Sequence, residues 1–275
     1  MRELLVIGMG PGHPDQITVQ AAAALNRVDV FFRIDKGDAK SGLNAVRDEI
    51  LNRHVTRPGY RVVEIPEPPR DRSAADYQGA VTDWHEARAG LIEAALTAEL
   101  GEDGVGAFLV WGDPSVYDST LRIIDRILDR GAVTFTYAVI PGVTSVQALA
   151  AAHRVPLNRI GEPIHITPAR RIAGGLPEGL DSAVVMLDSG FTAAGFDDPA
   201  LTVFWGAYLS TPDETLIRGP LSEVADEITK ARSALKAKHG WIMDTYLLRR
   251  EREGSDGPGR PAPGQGREPR FRSAE

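Results

Sequence analysis

The sequence predicts an α/β fold, on three observations. Short apolar runs alternate with segments of helical periodicity from the first residues onward. Several runs stop at glycine- and proline-rich loops, as strands of a parallel sheet do at their carboxyl ends. The alternation restarts after about residue 160, so a second α/β set follows the first.

Leu4-Leu5-Val6-Ile7 is the first strand and runs into Gly8-Met9-Gly10-Pro11-Gly12-His13-Pro14-Asp15. The spacing is Gly-x-Gly-x-Gly, not the Gly-x-Gly-x-x-Gly of a dinucleotide loop. Pro11 and Pro14 remove two backbone donors that a phosphate would need. The loop therefore reads as a stiff wall beside a ligand. Asp15 or Thr18 caps a helix carrying Val19, Ala22, Ala23 and Leu25, and Val28 to Ile34 is the next strand. Asp35 stands about where a nucleotide-binding sheet places its ribose acid, although Lys36 is placed to pair with it.

Ser41 to His54 reads as a helix with Leu43, Val46, Ile50 and Leu51 on one face. Tyr60 to Ile65 is a strand, and Pro66 to Ser73 a proline- and charge-rich loop. Tyr77 to Leu100 follows helical spacing through Val81, Trp84, Ala87, Leu91 and Ala95, which places Trp84 in the core. Val105 to Val110 is a buried strand ending in Trp111-Gly112-Asp113-Pro114-Ser115-Val116-Tyr117-Asp118, before a helix with Leu121, Ile123, Ile124, Ile127 and Leu128. Taken alone, that turn is either a rigid corner or a ligand site. Val133 to Ile140 is a strand ending in Pro141-Gly142-Val143-Thr144-Ser145, where Thr144 or Ser145 caps a helix with Val146, Leu149 and Ala150. This order builds a parallel sheet covered on both faces.

Leu157 to Pro163 reads as a boundary. Beyond it, Ile164-His165-Ile166 is a strand ending at Thr167-Pro168-Ala169-Arg170-Arg171, and Ser182 to Leu187 a strand ending at Asp188-Ser189-Gly190. Leu201 to Trp205 leads to Gly206-Ala207-Tyr208. Thr215 to Arg218 is a short strand, and Leu221 to Ala234 a helix whose stretch Asp226 to Arg232 is mostly solvated. Gly240 to Leu248 closes the sheet. From about Arg249 on, the Gly-, Pro- and Arg-rich chain has no apolar periodicity and is expected to be disordered.

Composition removes several function classes. The net charge of -7 argues against a nucleic-acid binder. No apolar run reaches the roughly 18 residues of a membrane span. Without cysteine there is no disulfide and no thiolate nucleophile or metal site, which fits a reducing cytoplasm.

Four stretches, in order, resemble the tetrapyrrole methylases: Val6 to Pro14, Trp111 to Tyr117, Ile140 to Ser145, and Tyr208 to Leu221. The resemblance spans residues 4 to about 248. It implies two α/β domains with a cofactor cleft between them (residues 1–140 and 141–250, with a disordered tail 251–275), S-adenosylmethionine as methyl donor, a homodimer, and no metal. On this resemblance Pro11, Trp111, Gly112, Asp113, Val116, Thr144, Ser145, Met186, Leu187 and Ala207 are expected at the cofactor. Tyr117 offers an aromatic face to its sulfonium.

Asp35-Lys36-Gly37, Val81 to His85, Tyr117 to Arg122, Trp205 to Leu209 and Gly240 to Tyr246 further resemble a branch that couples methylation to loss of an acetyl group. That loss calls for a base and an oxyanion stabiliser. Asp118, Asp188 or Asp244 is expected as base, and Tyr117 or Tyr246 as hydrogen-bond donor. An anionic tetrapyrrole needs cations, for which Arg33, Lys36, Arg122, Arg170 and Arg171 near strand ends are the candidates. Two alternatives stay open: a sister methylase acting at another ring position, and a nicotinamide-dependent oxidoreductase using Gly8 to Gly12 and Asp35.

Overall fold

The computed structural model describes residues 1–35, 41–69 and 76–251, so Lys36, most of the loop after residue 66 and the tail from residue 252 lie outside the described residues. Strands β1 (Arg2–Gly8), β2 (Val30–Asp35), β3 (Arg61–Pro66), β4 (Val105–Val110) and β5 (Phe135–Ile140) form one sheet in the order β3-β2-β4-β1-β5. Every pairing in it is parallel.

Alternation along β1 explains why its run is apolar throughout. Leu4 and Val6 pack on α3 (Tyr77–Glu99) and α4 (Thr120–Arg130). Leu5 and Ile7 pack on α1 (Val19–Leu25) and α2 (Ser41–His54). Both faces of the strand are therefore dry. The register sets Gly8 beside Val110 and Ile7 beside Ile140, which delivers the loops after β1, β4 and β5 to one rim.

The second sheet holds β6 (Ile166–Pro168), β7 (Ser182–Met186), β8 (Leu201–Ala207), β9 (Thr215–Pro220) and β10 (Asp244–Arg250), in the order β6-β7-β10-β8-β9. Only β6 and β7 pair parallel; the remaining ladders are antiparallel. One face packs Val203, Trp205, Tyr246 and Leu248 against α6 (Leu221–His239). The other packs Val184, Phe204 and Leu247 against Val146 and Leu149 of α5 (Ser145–His153).

Several expectations change. The first strand of this sheet starts at Ile166 and takes in Thr167 and Pro168, a proline position that an edge strand tolerates. Helix α6 continues past Ala234 to His239, where Gly240 stops it in the left-handed conformation (φ 76°). Arg232 on that helix is buried, not solvated. Trp84 is only partly buried, with the Arg88 guanidinium 4.6 Å above its ring. Arg249 and Arg250 belong to β10, because Arg250 donates to Asp198 at 2.7 Å and to the Leu180 carbonyl at 2.9 Å.

Candidate functional site

The three rim loops of the first sheet are tied to one another. Gly112 N–H donates to the Gly10 carbonyl at 2.9 Å, and Gly10 N–H to the Gly112 carbonyl at 3.3 Å. Asp113 Oδ2 accepts from Gly142 N–H at 2.8 Å, while Oδ1 accepts from the backbone and hydroxyl of Ser115. Burial alone would push the Asp113 carboxyl up, but these hydrogen bonds outweigh it and hold it below its ordinary range. A Cβ on Gly142 would lie 2.1 Å from the Gly112 oxygen, so the backbones touch there as only glycine permits.

These contacts occupy the loop donors. Met9 N–H goes to Val110 and Gly10 N–H to Gly112, leaving little of a phosphate nest after β1. The Asp113 side chain likewise acts as a brace between loops, and what the turn offers a cofactor is backbone.

Tyr117 reaches across to the second sheet. Its backbone takes a positive φ of 53°, its ring is 45% exposed, and its hydroxyl donates to the Ile166 carbonyl at 3.2 Å. Leu187, at the end of β7, also has a positive φ and is 60% exposed. Both are bulky residues held in a costly conformation, in loops that present their side chains outward. Met186 is half-buried beside Leu187, Val116 half-buried in the turn, and Pro11 buried behind it.

The hydroxyls at the start of α5 are already engaged. Thr144 accepts from Val146 N–H at 3.1 Å within a capping box with Gln147. Ser145 Oγ lies 3.1 Å from Thr245 Oγ1 on β10. Their side chains secure the helix to the sheet, and the cofactor reading of Thr144 and Ser145 passes to their backbone. Ala207, the last residue of β8, is fully buried in the core under α6 and paired in register with Asp244 and Thr215.

Trp111 lines a cavity of about 320 Å³ between α2 and the second sheet, with Leu43, Val46, Tyr208, His239 and Trp241. Its indole N–H is buried without a partner among the described residues.

Three of the expected catalytic side chains belong to the interior of the second sheet. Asp188 accepts from Gly190 N–H, Thr192 N–H, the Thr192 hydroxyl and the Tyr246 hydroxyl, at 2.6 to 3.0 Å. Tyr246 is fully buried, and burial together with the Asp188 charge pushes its hydroxyl well up. Asp244 accepts from Trp205 Nε1 at 2.8 Å and from Arg232 Nε at 2.7 Å. Asp188 and Asp244, both expected as base, and Tyr246, expected as hydrogen-bond donor, are thus all engaged with one another and with the interior of the second sheet. Asp118 is different. It stands at the rim beside Tyr117, and among the described residues only one of its oxygens is engaged, by Thr120 N–H at 2.7 Å.

The expected cations also divide. Arg33 is neutralised by Asp48 at 3.0 Å and Glu64 at 2.6 Å, which withdraws it from substrate binding. Arg122, Arg170 and Arg171 are exposed. Two arginines missed by the sequence reading stand closer in. Arg47 on α2 donates to the Leu43 carbonyl at 3.2 Å and the Leu109 carbonyl at 3.4 Å, with no carboxylate in ion-pair range among the described residues. Burial and neighbouring Arg33 push its pKa down to about 10, against the pull of Asp118 and Asp48. Arg88 on α3 is buried, donates to Ser119 Oγ at 3.1 Å and lies 3.7 Å from Glu67. The signal was present: Leu43, Val46, Arg47 and Ile50, and again Trp84, Arg88 and Leu91, put an arginine on a helix's apolar stripe.

Comparison with known proteins agrees with this geometry. The profile of the Tetrapyrrole (Corrin/Porphyrin) Methylases matches residues 3–225. The chain is 51% identical over 250 residues to the precorrin-6A synthase [deacetylating] of Sinorhizobium sp, covering 91% of this chain and 96% of that protein. It is 29% identical to the precorrin-2 C(20)-methyltransferase of the same source, over 66% of this chain and 72% of that one. The crystal structure of a cobalamin synthesis related protein (CobF) from Corynebacterium diphtheriae matches with a TM-score of 0.79 at 37% identity, covering 91% of this chain and 99% of that chain. The same fold recurs at 21% identity and a TM-score of 0.55 in uroporphyrin-III C-methyl transferase from Thermus thermophilus, covering 90% of this chain and 96% of that chain.

Proposed function

This chain belongs to the tetrapyrrole methylase family, and we propose that it transfers a methyl group from S-adenosylmethionine to C1 of precorrin-5 and releases acetate, forming precorrin-6A. The observation that carries this reading is the 51% identity to a precorrin-6A synthase [deacetylating] over nearly the whole of both chains. It is a cytoplasmic homodimer in this reading; no helix among the described residues is long and apolar enough to cross a membrane.

The residues present fit the methyl donor, which carries no phosphate and needs no nest of free amides at the first loop. The backbone of Trp111, Gly112, Asp113, Thr144 and Ser145 holds its polar groups, with Pro11, Val116, Met186 and Leu187 as apolar walls. The donor supplies an already activated methyl group. What the protein adds is alignment, since in-line displacement gains most from positioning. The exposed ring of Tyr117 would offer its face to the sulfonium.

Loss of the acetyl group is the step that needs acid–base chemistry. Water adds to the acetyl carbon, the bond from that carbon to C1 breaks, and acetate leaves carrying the water oxygen. C1 keeps the electron pair and forms the bond to the methyl carbon, while the water protons are released. Asp118 takes the first proton as base, and the Tyr117 hydroxyl turns from the Ile166 carbonyl to donate to the developing oxyanion. Arg122, Arg170 and Arg171 meet the substrate carboxylates from the exposed side.

Incubation with precorrin-5 and labelled S-adenosylmethionine is expected to yield methylated product and free acetate in equal amounts. Methylation without acetate would assign the chain to a sister methylase. Stabilisation against heat by NAD but not by S-adenosylhomocysteine would overturn methyl transfer altogether. Replacing Arg170 and Arg171 with alanine is expected to raise the substrate KM roughly tenfold while leaving cofactor affinity unchanged.

A further inference from the structure

We infer that Thr211 is a positioning residue for methyl transfer. Its methyl group bears on Gly12 and sets how closely the turn between β8 and β9 approaches the loop after β1, which braces the methyl-donor turn. This rests on the reading above that the donor lies against Trp111, Gly112 and Asp113.

The contact has no slack. A Cβ on Gly12 would lie 2.6 Å from Thr211 Cγ2, 3.4 Å from the Leu209 carbonyl oxygen and 3.6 Å from that of Ser210. Gly12 also holds a φ of 149°, which glycine adopts far more readily than other residues. The backbone of the first sheet's loop therefore lies directly on a turn of the second sheet.

Both sides of the contact are stiff. Tyr208 and Ser210 hold positive φ values of 48° and 65°, a conformation that persists only where the surroundings impose it. Tyr208 N–H donates to the Met243 carbonyl at 2.9 Å, and its hydroxyl donates to the Trp241 carbonyl. Its ring packs on those of His239 and Trp241, with centroids 4.7 and 5.2 Å away. Thr211 donates to the Tyr208 carbonyl twice, from its N–H at 3.0 Å and its hydroxyl at 2.7 Å. Those bonds, on a β-branched side chain, fix where the methyl group points. On the other side, Gly10 and Gly112 exchange hydrogen bonds at 2.9 and 3.3 Å, and Pro11 stands between Gly10 and Gly12. A push on Gly12 is thus passed to Gly112 and the donor turn.

The size of such a push matters to the reaction. An alanine at position 12 would require the Thr211 methyl to retreat from 2.6 Å to at least 3.4 Å. In-line displacement is sensitive on that scale, since a misplacement of about 1 Å can cost roughly hundredfold in rate.

The test is a double-mutant cycle of Gly12→Ala and Thr211→Ser, with turnover of precorrin-5, melting temperature and acrylamide quenching of tryptophan fluorescence as readouts. Thr211→Ser keeps the hydroxyl bonded to Tyr208 and removes only the methyl, so alone it is expected to change kcat by no more than about threefold. Gly12→Ala is expected to lower kcat roughly tenfold to hundredfold while KM for the substrate stays nearly constant. The double variant is expected to regain at least half of that loss on a logarithmic scale, the strained φ at position 12 accounting for the rest. A double variant as impaired as Gly12→Ala would overturn the inference, as would a Gly12→Ala protein that loses melting temperature but keeps its kcat. Should wild type transfer no methyl group from S-adenosylmethionine, the functional reading falls, and the contact is then judged by quenching. Trp111 and Trp241 wall the cavity behind this turn. Gly12→Ala is expected to raise their quenching and the added Thr211→Ser to reverse it, whereas quenching that Gly12→Ala leaves unaltered would overturn the contact itself.

Discussion

Arg232 and Arg47 both lie on helices that cover a sheet, yet they meet very different acceptors. Arg232 Nε donates to Asp244 at 2.7 Å, and its Nη2 donates to the Asp188 carbonyl at 2.7 Å and again to Asp244 at 3.3 Å. Asp244 in turn takes the Trp205 indole, and Asp188 takes Tyr246. Arg47 meets two carbonyls, at 3.2 and 3.4 Å, and no carboxylate among the described residues. A polar group withdrawn from water and fully paired serves the fold, whereas one withdrawn and underpaired is kept for something that arrives later. The second sheet holds the first kind and the rim of the first sheet the second.

The largest effect expected from this contrast is at Asp244. Side chains of the Arg232–Asp244 pair are 8% and 2% exposed. Asp244→Ala strands a buried guanidinium and is expected to cost about 3–5 kcal/mol of stability, read from urea unfolding. A loss below about 1 kcal/mol would erase the distinction between the two arginines. Tyr246→Phe comes next, at about 1–2 kcal/mol, because it deprives Asp188 of one of four donors.

That variant also has a pH signature. Burial would push the Asp188 carboxyl up, but the hydrogen bonds from Tyr246, Gly190 and Thr192 outweigh it and its pKa is lowered. A lowered folded pKa gives stability that is present above the unfolded value of about 4 and lost as pH falls below it. Removing the Tyr246 donor shrinks the depression, so less stability is lost on acidification from neutral pH to pH 3. Equal losses in the two proteins would show that Asp188 does not depend on Tyr246. The smallest effect is expected at the rim. Arg47→Met should change stability by no more than about 1 kcal/mol in either direction, since no ion pair is broken.

The strands and helices of the first sheet were legible because β1 and β4 are buried on both faces and show it as unbroken apolar runs. The rim loops were legible for a related reason. Gly8, Gly10, Gly112 and Gly142 follow strands, and the close backbone approach they allow has no substitute. The candidate carboxylates could not be told apart by spacing. Asp118, Asp188 and Asp244 all lie near strand ends, and nothing in their spacing tells that two of them face inward. The same holds of Ala207, since a residue at a strand end reads alike whether it faces core or cleft.

By itself, then, the sequence determined the α/β alternation, the phosphate-poor first loop and the ordered motifs that carry the family resemblance, all of which depend on neighbours in the chain. The tertiary structure alone decided that the second sheet is mainly antiparallel, that Asp188, Tyr246, Arg232 and Asp244 form a closed interior network, and that Arg47 is turned to the Leu43 and Leu109 carbonyls. Pairing between residues such as Arg88 and Ser119, or Asp188 and Tyr246, is set by strand register and helix packing across long stretches of chain. Local periodicity records which face a residue takes, but not which acceptor waits there.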